Sequence, residues 1–577
     1  MNETANGSGA SAIRTFAAGL RDWLPETVLL LVTTCAGVWA AGRWGDPCGD
    51  AGYAWSLAYR VSHGEKLYRD IYTQYTPLSP YLLAAGVSVF GAAPRFFLYA
   101  YWIPAIVAAL FLLRCARSVL STFERLTLAG IVIATSLFLP GAGHLIFPYY
   151  PGVVHALLFS VAAFLCLRPG AATAVRVAVA GCLAGAAFAC KQEIGLAVLI
   201  GLAVSLAAGP APRFGLLARL LGSFLAVLLL VALWALASAP YESLVHDSRL
   251  WPLAAPPSTT IHFLGEASGL EKPLWPIAVA KRIFRDLAAL GTVAAICLAA
   301  SRERTRALWT RVAVLCLAAA AGWLALAKSP VRAVPSLSLS ALLAFLLAAA
   351  VILLKDFPDR AFVAGFAVFA GLAGSRAVFS TNLAGHYGGP AHFATALSSL
   401  VALLVLAPRL LLGRCAAASY LRKGLAIGLF CFSWWQAAAA ARSLEFPRNM
   451  PVDTPAGRVV AAPEGRRLLE MIAKHAVPGQ SALIIPEPYA IDALFRLRNV
   501  SPLPWASPGW LDSRIETSLL RRLESSPPDL VVLIARRYKE YGAGPFGIGY
   551  GRALSDWCRI HYSVVGSSDQ GQILRRK

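Results

Sequence analysis

Apolar runs of about 17–25 residues recur along this chain, and no other feature restricts its fold as much. Wound as a helix at about 1.5 Å per residue, such a run crosses a hydrocarbon layer about 30 Å thick. Lipid offers backbone amides no partner, so each crossing must satisfy its own hydrogen bonds, and a helix does this within the segment. The runs predict about thirteen spans, near 24–42, 97–113, 126–142, 151–167, 176–190, 194–209, 216–238, 286–300, 308–327, 334–354, 361–380, 391–412 and 424–441. Charged residues are only 14% of the 577 and hydrophobic ones 58%. A soluble protein carries roughly 25% charged residues, so the soluble globular class is excluded. The expected fold is an α-helical polytopic membrane protein.

The formal net charge of +22 does not point to nucleic acid. No Lys/Arg patch is interleaved with stacking aromatics on a soluble fold. Most of the basic residues instead sit in short alternate loops, as cytoplasmic loops do. These hold Arg114, Arg117 and Arg125; Arg168 and Arg176; Arg213 and Arg219; Arg302, Arg304 and Arg306; Lys355 and Arg360; and Arg409, Arg414, Arg422 and Lys423. The chain is therefore expected in the inner (cytoplasmic) membrane, multi-pass, with a cytoplasmic N-terminus and residues 442–577 on the periplasmic or extracellular side. The start of the chain reads as an uncleaved anchor, since no small-residue cleavage site follows Arg14 and Arg21. The runs at 176–190 and 194–209 also fit one broken hairpin entering from one side.

Three outer segments are longer than connections need. Residues 43–96 contain an amphipathic stretch with Tyr53, Leu57 and Val61 on one helical face, expected to lie along the membrane surface. Residues 239–285 carry Trp251-Pro252 and Trp275-Pro276 and read as an interfacial loop. Composition shifts at 442–577, where buried strands at 483–485 and 530–534 alternate with helices at 464–475 and 515–524. The expected organisation is a transmembrane module over 1–441 and a small extracytoplasmic α/β domain over 442–577.

The 11 cysteines contain no C-x-x-C pair and lie mostly in apolar spans, so no zinc or redox framework is expected. A bridge between Cys48 and Cys558 is left open. There is no phosphate-binding G-x-x-x-x-G-K-[ST] loop, no H-E-x-x-H and no Gly-x-Ser-x-Gly elbow. What remains is a set of polar residues gathered at the outer face: Asp46, Asp50, His63, Glu65, Asp70, Gln74, His144, Lys191, Gln192, Glu193, Arg376, His386 and Tyr387. They are far apart in sequence, but loops on one face of a bundle can converge over a shared cavity. Asp50 is the leading general base for an attacking hydroxyl, and it also fits a helix cap. Asp46 precedes a proline and also fits a turn. Asp70 also fits a pair with Arg69 or Arg60. Lys191 at a tight junction offers point charge to a phosphate, with Glu193 to hold it or bond a sugar; a snorkelling span end is the alternative. His386 and Tyr387, flanked by glycines, read either as interfacial anchors or as phosphate contacts.

The ordered combination Gly49-Asp50-Ala51-Gly52-Tyr53, Gly64-Glu65-Lys66-Leu67-Tyr68-Arg69-Asp70, Thr76-Pro77-Leu78 and the later Lys191 junction resembles the GT-C class of integral-membrane glycosyltransferases. Within it, the similarity is to family 39 and Rgt-type proteins, relatives of protein O-mannosyltransferases and of lipid A aminoarabinose transferases, and it covers mainly residues 25–210. The resemblance implies a hexosyl- or pentosyltransferase that uses a polyprenyl-phosphate-sugar donor, with a glycan, lipid or protein as acceptor. It implies Asp50 as the catalytic acid of the first outer loop, with Asp46 and Asp70 as helpers and Lys191 near the donor phosphate. Arg376, His386 and Tyr387 would join the donor site if their loop folds over it. The chain departs from the protein O-mannosyltransferases, whose first loop has adjacent Asp-Glu where Ala51 follows Asp50 here. No cofactor is required by any motif; a divalent cation is left open. Two other classes stay open, a transporter or flippase for lipid-linked glycans and a non-catalytic assembly subunit of an envelope glycan pathway.

Overall fold

The computed structural model describes residues 5–40, 47–138, 145–146, 150–167, 173–209, 214–250, 258–268, 277, 280, 337–354, 356–379, 384–413, 416–443 and 450–577. Up to Ser443 the described elements are helices: α1 (Ala5–Ala40), α2 (Asp50–Ser62), α3 (Leu78–Phe90), α4 (Pro94–Ala116), α5 (Thr122–Val132), α6 (Gly152–Cys166), α7 (Ala174–Cys190), α8 (Gln192–Ala207), α9 (Phe214–Ser238) and α10 (Ser258–Ser268). Then come α11 (Leu337–Leu353), α12 (Arg360–Phe379), α13 (Ala384–Val401), α14 (Ala407–Leu412) and α15 (Ala416–Ser443). Apart from their ends, the expected apolar stretches fall on these helices; 286–300 and 308–327 lie outside the described residues. Among the described residues, Pro94–Ala116, Phe214–Ser238 and Gly389–Leu410 are long and apolar enough to cross a membrane, and shorter apolar helices accompany them.

One end of the bundle is tied by charge. Asp22 and Glu26 on α1 receive Arg117 at 2.7 Å, Arg125 at 2.9 and 3.0 Å, and Arg114 at 3.4 Å. The Arg114 guanidinium also lies over the Trp23 ring. Beside them, α5 starts in a capping box, where Ser121 and Glu124 satisfy each other's backbone N–H. The same Glu124 carboxylate accepts from Arg422 of α15 at 2.5 and 2.7 Å. Arg125 is only 1% exposed, so its charge is tolerable there because it is paired twice. Arg114, Arg117, Arg125 and Arg422, all expected in basic loops, thus gather at one end of the molecule.

The other end of α4 reaches the C-terminal region, where Pro94 packs beside Gly457. This region holds a hairpin, β1 (Met450–Thr454) with β2 (Gly457–Ala461), and a five-stranded sheet. The sheet strands are β3 (Ser481–Ile485), β4 (Arg498–Asn499), β5 (Leu530–Ile534), β6 (Tyr562–Ser568) and β7 (Gly571–Arg576), in the order β4-β3-β5-β7-β6. β3 runs parallel to β4 and β5, while β7 is antiparallel to β5 and β6. Every residue of β3 is buried, as a strand covered on both faces requires. The helices over the sheet, Pro463–Ala473 and Ser513–Ser525, are amphipathic and stand where periodicity places them.

Two expectations for the first outer segment need correction. The helix expected to lie along the membrane surface is enclosed by protein. Tyr53, Leu57 and Val61 of α2 pack with Leu67, Tyr68, Ile71 and Ala235. Its other face, Ala51, Ala54, Trp55 and Ala58, packs into the C-terminal core with Ile484, Ile491 and Leu494. Three alanines made that face inconspicuous in sequence, yet small side chains are what let a helix seat closely against a core. Gly52 is part of the fit: a Cβ there would lie 2.0 Å from the Pro47 carbonyl oxygen, which accepts from Ala490 N at 3.0 Å. Beyond the single amphipathic stretch expected in it, the segment also holds an apolar helix, α3. No bridge joins Cys48 and Cys558: Cys48 lies beside the Gly465 carbonyl and Cys558 is buried in the sheet core.

Candidate active site

Lys191 is the single residue between α7 and α8. Its extended backbone (φ −156°, ψ 106°) ends one helix and caps the next, and the Gly195 N–H bonds its carbonyl at 3.0 Å. Its side chain is 13% exposed and its ammonium lies 3.2 Å from Glu193. Two rings from other parts of the chain face it. Tyr75, from the first outer segment, and Tyr150, just before α6, stack with centroids 4.0 Å apart at 18°. The Lys191 ammonium is 5.7 Å from the first ring and 5.9 Å from the second, within cation–π reach. Gly152 makes this approach feasible, since a Cβ there would meet the Tyr150 ring at 2.2 Å and the Cys190 carbonyl at 2.6 Å.

Further tyrosines extend the cluster. Tyr53 of α2 lies 5.6 Å from the Tyr75 ring and shares a 2.7 Å hydrogen bond with Thr73. Tyr68 donates to the Tyr75 carbonyl at 2.8 Å. Burial pushes the Tyr53, Tyr68 and Tyr150 phenols up from their ordinary range, so they stay protonated and able to donate. The Tyr150 hydroxyl is buried with no hydrogen-bond partner among the described residues. A buried hydroxyl of this kind offers a ready donor to a ligand oxygen.

Asp50 is the first residue of α2, three positions before Tyr53, and Gly49 occupies the capping position. The alternative of Asp50 as the helix cap is therefore not the one adopted; its side chain lies outside the described residues, as do Asp46 and His144. Arg376 lies in α12, and His386 and Tyr387 in the first turn of α13, with side chains likewise outside. Asp70 is engaged by Arg69 at 2.7 Å and by the Lys66 N–H at 2.9 Å. Burial raises its carboxyl, but these partners outweigh it and hold the group below the usual carboxylate range. Glu65 pairs with Arg60, and His63 bonds the Tyr59 carbonyl. The structure thus joins Lys191 and Glu193 to the aromatic cluster and gives Asp70 a turn-holding arrangement.

Sequence reasoning overlooked the tyrosines and a buried pair, Ser79 of α3 with His155 of α6 at 2.9 Å. A histidine inside an apolar span was the available signal, because ionisable groups are expensive there. Tyrosines in an interfacial loop give no such signal, since they are common at membrane surfaces for packing reasons alone. Among the described residues no group of three or more His, Cys, Asp or Glu is placed to hold a metal ion.

No protein-family model and no curated protein sequence matches the chain. Among solved structures it is similar to the Archaeoglobus fulgidus oligosaccharyltransferase in its apo form, at 14% identity and a TM-score of 0.42, covering 89% of this chain and 71% of that one. It is also similar to ArnT from Cupriavidus metallidurans in the apo state, at 15% identity and a TM-score of 0.40, covering 97% of this chain and 98% of that one. The same ArnT bound to undecaprenyl phosphate gives 13% identity, a TM-score of 0.40, and coverage of 95% and 97%.

Proposed function

We propose that this chain is a membrane glycosyltransferase of about thirteen spans that moves a sugar from a polyprenyl-phosphate carrier to an acceptor at the outer face of the cytoplasmic membrane. The observation that carries the reading is the meeting of Lys191 with the Tyr75–Tyr150 stack, one α2 turn away from Asp50 through Tyr53. α7 and α8 are 17 and 16 residues long, about 25 Å each, slightly less than the hydrocarbon thickness. Their junction then lies near the lipid headgroup level, where a carrier phosphate resides while its isoprenoid tail stays in lipid.

In the proposed reaction an acceptor hydroxyl oxygen attacks the anomeric carbon and its proton passes to Asp50. The bond from that carbon to the phosphate oxygen breaks, and its electron pair leaves with polyprenyl phosphate. Negative charge grows on the phosphate, so a fixed cation and phenol donors lower the barrier more than they tighten the ground state. Lys191 supplies the cation, held in line by Glu193 and the two rings. Tyr150 supplies a donor. The α8 N-terminus adds a favourable dipole, as Lys191 in the capping position gives no side-chain cap. Asp70 lies in a turn of the same outer segment and acts by shaping it.

The test is transfer from a labelled polyprenyl-phosphate sugar pool by protein in lipid nanodiscs. Asp50→Asn should lose roughly a hundredfold or more in rate, as expected on removal of a general base, while expression and thermal stability stay near wild type. Turnover within a factor of two of wild type removes Asp50 from the role. A flippase would instead move intact lipid-linked sugar across vesicles without transferring it.

A further inference from the structure

A second aromatic and charged cluster lies where the parallel strands β3 and β5 end. In open α/β sheets, ligands favour the crevice outside the carboxyl ends of such strands. The chain leaving β3 carries Glu487 and Tyr489, and that leaving β5 carries Arg536 and Tyr538. Trp505 joins them because the neighbouring Ala506 N–H bonds the Pro486 carbonyl at 2.8 Å. Glu487 accepts from the Tyr538 hydroxyl at 2.6 Å and lies 3.5 Å from the Arg536 guanidinium. The Tyr538 ring meets Tyr550 at 6.1 Å and Tyr541 at 5.6 Å, and Tyr541 meets Trp505 at 6.3 Å.

Two features mark this rim as built for a ligand. The Trp505 Nε1–H and the Tyr550 hydroxyl are buried with no partner among the described residues, whereas buried polar groups are ordinarily satisfied. Tyr489 holds a left-handed φ of 50°, a conformation that an aromatic residue adopts at a cost and that collects at functional sites. The chemistry selects the ligand. Partly exposed rings (Tyr489, Trp505, Tyr550) match the C–H face of a sugar, while a carboxylate acceptor and a guanidinium donor match its hydroxyls. An aliphatic chain would leave the buried Trp505 N–H and Tyr550 hydroxyl unanswered. The rim also adjoins the Asp50 segment: Ala490, next to Tyr489, donates its N–H to the Pro47 carbonyl at 3.0 Å.

We infer that this rim binds a saccharide, and that the saccharide is the acceptor whose hydroxyl is presented toward the Asp50 segment. The acceptor role rests on the glycosyl-transfer reading; saccharide binding itself does not. The experiment is saturation-transfer NMR on the full-length protein in nanodiscs, with oligosaccharides released by mild acid from the producing cell's envelope. Magnetisation should reach the sugar ring protons. Arg536→Gln, at a side chain 42% exposed, and Trp505→Phe, which keeps a ring and deletes the N–H, should each weaken binding by roughly tenfold. Lys191→Met should leave saccharide binding intact. No saturation from the mixture, in protein that still binds undecaprenyl phosphate, overturns the site; so does saturation unchanged in both rim variants. Binding that depends on the rim in a wild-type protein that never transfers sugar keeps the site and removes the glycosyltransferase reading.

Discussion

At the scale of single residues, Lys191 has the most informative surroundings. Its ammonium is mostly shielded from solvent, paired with Glu193 and flanked by two stacked rings, which is more enclosure than a snorkelling span end requires. In the proposed mechanism its charge counts for more in the transition state than in lipid binding. Lys191→Met keeps most of the stem and deletes the charge, and kcat should fall about a hundredfold with little change in affinity for undecaprenyl phosphate. Lys191→Arg should recover part of the loss, because the charge returns with a different geometry. Single-turnover rates alongside lipid binding by native mass spectrometry separate the two effects. Normal turnover in the methionine variant would return Lys191 to a membrane-anchoring role.

Among the elements, α2 is the piece packed between the helical bundle and the sheet. It is buried on two sides, and on one of them Ser56 donates to Asp492 at 2.6 Å. Burial pushes the fully enclosed Asp492 carboxyl up to about 6, with Ser56, Arg60 and the Ala493 N–H pulling it down and Glu65 pushing it up. The folded state therefore holds this proton more tightly than the unfolded one. Its contribution is complete below about pH 4, shrinks as pH rises through about 6, and is flat above; it amounts to at most about 3 kcal/mol. Thermal melts of the full-length protein in detergent should show this fall between pH 4 and 7. Asp492→Asn, which stays neutral throughout, should flatten that part of the curve. Matching pH profiles for the two proteins would show that Asp492 does not govern docking of the sheet on α2.

At the scale of the whole molecule, the polar groups divide between two ends. Asp22, Glu26, Arg114, Arg117, Arg125, Glu124 and Arg422 form one cluster; Lys191, the tyrosines and the C-terminal sheet gather around the other ends of the helices. α4, a 23-residue helix, links them, with Arg114 in the first cluster and Pro94 beside β2, about 30 Å apart along the helix axis. If the basic end faces the cytoplasm, as the positive-inside tendency indicates, the sheet and Lys191 face outward together. An alkaline phosphatase fused after Arg442 should then be active, and a cytoplasmic reporter at the same point silent. The opposite pattern would reverse the orientation.

Local pattern alone settled the mostly helical membrane class, where most of the described apolar helices lie, and the alternation of strand and helix after residue 450. These follow from local patterns: the length of an apolar run, and the period at which buried positions recur. It also singled out Lys191, because a charge between two apolar runs is costly enough to be conspicuous. Folding in three dimensions was needed to show that Tyr75 and Tyr150 assemble around that charge with Tyr53 against Tyr75, that Asp70 holds a turn, and that α2 is sealed between bundle and sheet. Each of these depends on contacts between residues far apart in the chain, made through alanines, glycines and tyrosines whose local pattern is the same whether they face lipid, a core or a ligand. The energy that distinguishes those outcomes resides in the partner, and a single stretch of sequence does not contain its partner.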